Sequence, residues 1–74
     1  MQNINENSRS SRSQTDLILE WMLQGHSITP LEALNKFGSL RLPARIADIR
    51  KRGYLVYSEF VTTIGGKKVK QYHL

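Results

Sequence analysis

The sequence predicts a small α+β domain, three helices followed by a C-terminal β-hairpin. Three observations predict it. Apolar residues recur at helical spacing as far as Ile49, then give way to a stretch rich in Val, Tyr, Phe and Thr. Start and stop residues (Gly25, Thr29-Pro30, Gly38 and Gly53) cut the helical part into three. Gly65-Gly66 then divides the final stretch into two strands.

With 74 residues the chain makes one domain at most. A domain this short buries only about 60% of the surface its unfolded form exposes, so nearly every sizeable apolar residue is needed in the core. There is no cysteine, which removes disulfides and thiolate metal sites and suits a reducing compartment. No apolar run approaches the roughly 20 residues that span a bilayer, and the N-terminus lacks the apolar stretch of a signal peptide. The expectation is a soluble, intracellular protein with no membrane contact.

Residues 1–13 are mostly Asn, Ser, Gln and Arg. They have little to bury and are expected to form a flexible arm ahead of a domain over residues 14–74. The first helix is expected from Gln14 to Gln24. Ser13 is its candidate cap and Asp16 the weaker acidic partner of a capping box. Leu17, Ile18, Trp21 and Met22 form its apolar face, and Gly25 is its stop. His26-Ser27-Ile28 reads as a short extended link.

Thr29-Pro30-Leu31-Glu32 is a strong helix start: Thr29 caps, Pro30 occupies the first turn where no N–H is required, and Glu32 completes the box. The second helix, Pro30 to Lys36, is expected to bury Leu31, Leu34 and Phe37, with Gly38 ending it. Ser39 is read as opening the third helix after a very short turn. Pro43 falls in or near its first turn, where its missing N–H costs least. Leu42, Ile46 and Ile49 make its core stripe, and Gly53 stops it. Tyr54 to Thr63 and Lys67 to Leu74 are the hairpin strands. A tight two-residue turn at Gly65-Gly66 would set Glu59 opposite Tyr72 and Tyr57 opposite Leu74, unless a bulge shifts that register. Two helices joined by a short Gly-containing turn, with one helix before them and a hairpin behind, make a small winged helix-turn-helix.

Charge points to a polyanion. The net charge is +5 at pH 7. Residues 1–40 carry three cations against four carboxylates, and residues 41–74 carry eight against two. Positive potential is thus built by the second half, as expected for a nucleic-acid or anionic-surface partner; the plainer alternative is a solvated face. On the third helix, Arg41, Arg45, Asp48 and Arg52 cluster about a quarter turn from the apolar stripe, while Ala44 and Lys51 point nearly opposite it. Arginine can bond guanine O6 and N7 bidentately in a major groove, and small residues allow close approach. The alternative is an amphipathic surface helix whose arginines pair with Asp48 and Glu32. Lys67, Lys68 and Lys70 project from the hairpin as point charges suited to phosphates, or else protect its edge from aggregation. The candidate DNA-facing residues are therefore Ser39, Arg41, Ala44, Arg45, Asp48, Lys51, Arg52, Lys67, Lys68 and Lys70. Arg9 and Arg12 in the arm either reach a minor groove or merely solubilise it.

Other constellations carry less. Trp21 reads as packing. Tyr54, Tyr57, Phe60 and Tyr72 resemble a base-stacking platform, but two strands are too few for one. His26 and His73 have no third ligand at metal spacing. Gly65-Gly66 is no phosphate loop, since no helix can follow it. With no nucleophile–base pair apparent, neither an enzyme nor a cofactor is expected.

The stretch GHSITPLEALNKFGSLRLPARIADIRKRGY resembles small phage and prophage helix-turn-helix proteins of the winged type, in its GHSIT, LEAL, FG, R-L, RI-D-R and RG elements. The likeness covers about residues 17–57 and weakens through the hairpin, where Tyr72-His73-Leu74 also looks similar. Pro43 departs from it, standing where a helix former such as Ala is expected. The resemblance implies a winged fold and a DNA-binding role. The leading reading is a double-stranded DNA-binding protein of a bacterial host cytoplasm, either a transcriptional regulator or a recombination accessory factor. The main competing reading is a winged module that binds protein, for instance a phage inhibitor of a host enzyme; a third is a subunit of a larger nucleoprotein assembly such as packaging machinery. Oligomeric state is left open.

Overall fold

The computed structural model describes residues 14–74. Helix α1 covers residues 14–23, α2 Pro30–Phe37 and α3 Leu42–Lys51, and strands β1, Tyr57–Thr62, and β2, Lys68–His73, form an antiparallel hairpin. This is the predicted three-helix-plus-hairpin architecture. The proposed cap Ser13 and the arm of residues 1–13 lie outside the described residues.

Local chemistry sets the helix ends. Gly25, Gly38 and Gly53 all adopt positive φ, as left-handed stops require. The capping box of α2 is formed in full: Glu32 N–H donates to Thr29 Oγ1 at 3.3 Å, and Thr29 N–H donates to Glu32 Oε1 at 3.0 Å. Pro43 sits in the first turn of α3 without breaking it, because no intrahelical donor is required there. Ser39 does not open α3. The helix begins at Leu42 behind Arg41, and the buried Ser39 hydroxyl accepts the Arg41 N–H at 3.3 Å, holding the turn instead.

The core joins Ile18, Leu19 and Met22 of α1, Ile28, Ala33 of α2, Leu42, Ile46 and Ile49 of α3, Val56 and Tyr72. The α3 stripe is as expected. On α1, however, Leu19 rather than Leu17 faces inward; Leu17 is exposed. The inward face follows the Thr15–Ile18–Leu19–Met22 row, which leaves Leu17 nearly opposite. Trp21 sits half-buried at the margin. It stacks on His26, meets Phe37 edge-on and donates its indole N–H to Ser27 O at 3.0 Å. On α2, Leu31 and Leu34 are exposed, and Ala33 and the half-buried Phe37 turn inward. A small residue at the contact lets α2 approach closely, and its leucines are left outside.

Ile28 is bridged to Tyr72, so this residue adds a short third edge to the hairpin. The strand register differs by one residue from a two-residue turn: Tyr57 pairs with His73 and Glu59 with Gln71. The cause is a three-residue loop. Thr63 N–H donates to Lys67 O at 2.7 Å, Gly66 N–H donates to Thr63 O at 2.9 Å, and Gly66 takes φ +84°. That is a type I turn closed by a left-handed glycine, the common three-residue hairpin. Strand β1 starts at Tyr57, three residues later than expected, because 54–56 link α3 to the hairpin and lead to the buried Val56.

The burial pattern separates core from surface leucines experimentally. Ile46→Ala is expected to cost about 2–5 kcal/mol, a large share of the stability of so small a domain. Leu31→Ala is expected to cost less than about 1 kcal/mol. Urea unfolding measures both, and a comparable loss for Leu31→Ala would mean that α2 is rotated from the orientation described.

Candidate nucleic-acid interface

Helix α3 is held on three sides. Its apolar stripe lies on the core. One flank meets α1: Thr15 Oγ1 donates to Asp48 Oδ2 at 3.3 Å, Arg45 Nε lies 3.5 Å from the same oxygen, and Arg52 Nη1 donates to Asp16 Oδ1 at 2.8 Å. At its C-terminal end, Arg50 Nη2 donates to the carbonyl of Val56 at 2.8 Å, tying the helix to the hairpin entry. What remains exposed on the helix is Pro43, Ala47, Arg50 and Lys51, with Ala44 half-buried beside them and Arg41 exposed at the N-terminal end.

The ten predicted residues thus divide. Arg41, Ala44, Lys51 and Arg52 border the outward face, although Arg52 shares its charge with Asp16. Arg45 and Asp48 lie toward α1, and the Arg45 side chain is only 16% exposed. The pairing alternative is realised for Asp48, whereas Glu32 is occupied in the α2 capping box. Ser39, 2% exposed, lies in the interior. Lys67, Lys68 and Lys70 are exposed along the outer hairpin, with Lys70 Nζ over the Phe60 ring at 5.5 Å.

Ala47 and Arg50 were missed by sequence reasoning. Ala47 lies on the same outward arc as Lys51 and could have been placed there by continuing the helical step past Ala44. The bond from Arg50 to Val56 O carries no sequence signal, because it depends on where the chain turns after Gly53. Between α2 and the hairpin lies an apolar groove, floored by Leu31, Leu34, Leu40, Pro43, Val61 and Val69, with Lys67 at its edge. It is where the outward leucines of α2 collect.

These features set the local chemistry. A narrow row of small residues on a helix permits close approach of a partner's groove, and flanking cations supply attraction. Among the described residues there is no group of three or more His, Cys, Asp or Glu side chains able to hold a metal ion, and no helix long and apolar enough to cross a membrane.

A family model described as a winged helix-turn-helix domain matches residues 13–74, the three helices and the hairpin together. No curated protein and no solved structure matches the chain significantly.

The two kinds of cation on α3 are expected to behave differently in unfolding. Arg45→Ala removes a largely covered side chain with its ion pair and is expected to cost about 1–2 kcal/mol. Lys51→Ala is expected to stay within about 0.5 kcal/mol. Denaturant midpoints of the two variants decide the point, and equal, negligible shifts would put Arg45 outside the α1–α3 seam.

Proposed function

The chain belongs to the winged helix-turn-helix domain family, and on that footing we propose that it binds double-stranded DNA, α3 entering the major groove and the hairpin lying on phosphates. The observation that carries the reading is the adjacency of two cationic elements. The outward arc of α3, with Arg41 and Lys51, and the lysine-bearing outer hairpin are consecutive in the chain and fixed to one core.

The roles follow from side-chain chemistry. Arg41, exposed at the start of α3, is placed to read a base edge, since a guanidinium can make the bidentate contact to guanine. Ala44 and Ala47 let the helix sit deep. Lys51 and Arg52 at the other end, with Lys67, Lys68 and Lys70, neutralise phosphates and set orientation. Arg45 and Asp48 position the helix. In this reading the protein is a sequence-preferring transcriptional regulator or a recombination accessory factor. The alternative, a module that docks an acidic protein, draws on the apolar groove and its Lys67 edge. It requires no affinity for duplex DNA.

Salt titration tests the reading. Neutralising ~4–6 phosphates implies a slope of log affinity against log salt of roughly −4 to −5. Replacing Lys67 and Lys68 together by Ala is expected to reduce the steepness by about 2 and to weaken binding to all sequences alike. Arg41→Ala is expected to cost about 1–3 kcal/mol on a selected site and much less on random duplex. Absence of duplex binding at low salt overturns the proposal and leaves the protein-docking alternative.

A further inference from the structure

The tip of the hairpin carries a feature that phosphate contacts do not explain. Ile64 is 109% exposed, more than in an extended reference chain. It stands at the first corner of the turn, followed by Gly65 and Gly66 and then Lys67 and Lys68. The backbone of a type I corner accepts most residues, and polar ones face water there without cost. An aliphatic group there leaves its whole apolar surface in water, and none of the described residues buries it.

The surroundings narrow the function. The tip is fixed by three hydrogen bonds: Thr63 N–H to Lys67 O, Gly66 N–H to Thr63 O, and Lys67 N–H to Thr63 Oγ1 at 3.2 Å. Ile64 is thus presented on a rigid arm. The two glycines beside it add no bulk: a Cβ on Gly66 would meet nothing within 4 Å, and one on Gly65 only the Thr63 hydroxyl at 4.0 Å. The arm ends in a slim backbone loop with one projecting apolar group and cations immediately behind it. A DNA minor groove is about 6 Å wide, and a slim loop with a single projecting apolar side chain suits it. Apolar side chains entering there, isoleucine included, wedge between base steps and kink the duplex.

We propose that Ile64 is a minor-groove wedge, inserting at a base step while Lys67 and Lys68 hold the flanking phosphates, so that the protein bends the DNA it binds. This rests on the DNA-binding reading above and adds a deformation to it. Flexible pyrimidine–purine steps are the preferred point of entry, because they unstack most easily. The wing then contributes sequence preference through deformability, independently of the base contacts of α3.

The experiment uses the full chain and a short duplex with 2-aminopurine at a central TA step and a dye pair on its ends. Anisotropy reports binding, 2-aminopurine fluorescence reports unstacking, and energy transfer reports bending. The wild type is expected to bind, to raise the 2-aminopurine signal and to shorten the end-to-end distance. Ile64→Ser is expected to keep its melting temperature and bind within about tenfold of wild type, with both deformation signals lost. Ile64→Phe, which keeps an apolar wedge, is expected to retain them. Binding by the wild type without unstacking, or equal unstacking by Ile64→Ser, overturns the wedge and leaves DNA binding intact. Failure of the wild type to bind any duplex at low salt overturns the DNA reading and the wedge with it.

Discussion

Two reciprocal hydrogen bonds between Ile28 and Tyr72, N–H to carbonyl at 2.9 Å and 2.8 Å, join the helical half of the chain to the hairpin. Both side chains are buried, so the backbone pair is shielded from water and cannot be exchanged for solvent hydrogen bonds without exposing the core. An isolated two-stranded hairpin is marginal in water. Here it gains a third edge from the α1–α2 link and a hydrophobic anchor in Tyr72. The link is held in place by its neighbours, Trp21 bonding Ser27 on one side and Thr29 capping α2 on the other. The position of the wing relative to α3 depends on this junction.

The geometry of α3 follows from the same economy. A short domain has little apolar surface to spare, so polar contacts complete the seams. Thr15, Asp48 and Arg45 close the one toward α1, and Arg50 reaches the Val56 carbonyl where the chain leaves for the hairpin. Each contact ties a charged or polar group of α3 to a neighbouring element. The result is a helix whose outward arc is small and sparsely charged, with cations at its ends and on the wing. That division suits a rod-like polyanion, which is met closely in the middle and held electrostatically at the edges.

Much of this was legible in the sequence, because the devices involved are local. The α2 capping box, the glycine stops and the Leu42–Ile46–Ile49 stripe each depend on residues within one or two turns. The errors arose where tertiary packing chose between equivalent faces. Leu17 and Leu19 are both apolar, and how α1 packs on the shared core decides which is buried. Leu31 and Leu34 looked like core because leucine usually is, yet Ala33 gives the closer helix approach. The hairpin register turned on a three-residue rather than a two-residue loop, a choice that Gly65-Gly66 permits either way. At the interface, Arg45 and Lys51 are both basic and only a turn and a half apart. The helical step already sets Lys51 opposite the apolar stripe and Arg45 beside it, but that the flank of Arg45 is covered depends on α1, whose position α3 itself does not encode.

On the proposed function, α3 and the wing, joined through the Ile28–Tyr72 junction, act as one DNA-binding surface. Backbone amide chemical-shift mapping during titration with duplex DNA tests it directly. The account predicts perturbations confined to Arg41, the Ala44–Ala47–Lys51 arc and residues 63–70, appearing together at one apparent affinity. Perturbations centred on the apolar groove around Leu31 and Leu40, or on α1 with the wing unaffected, would contradict it.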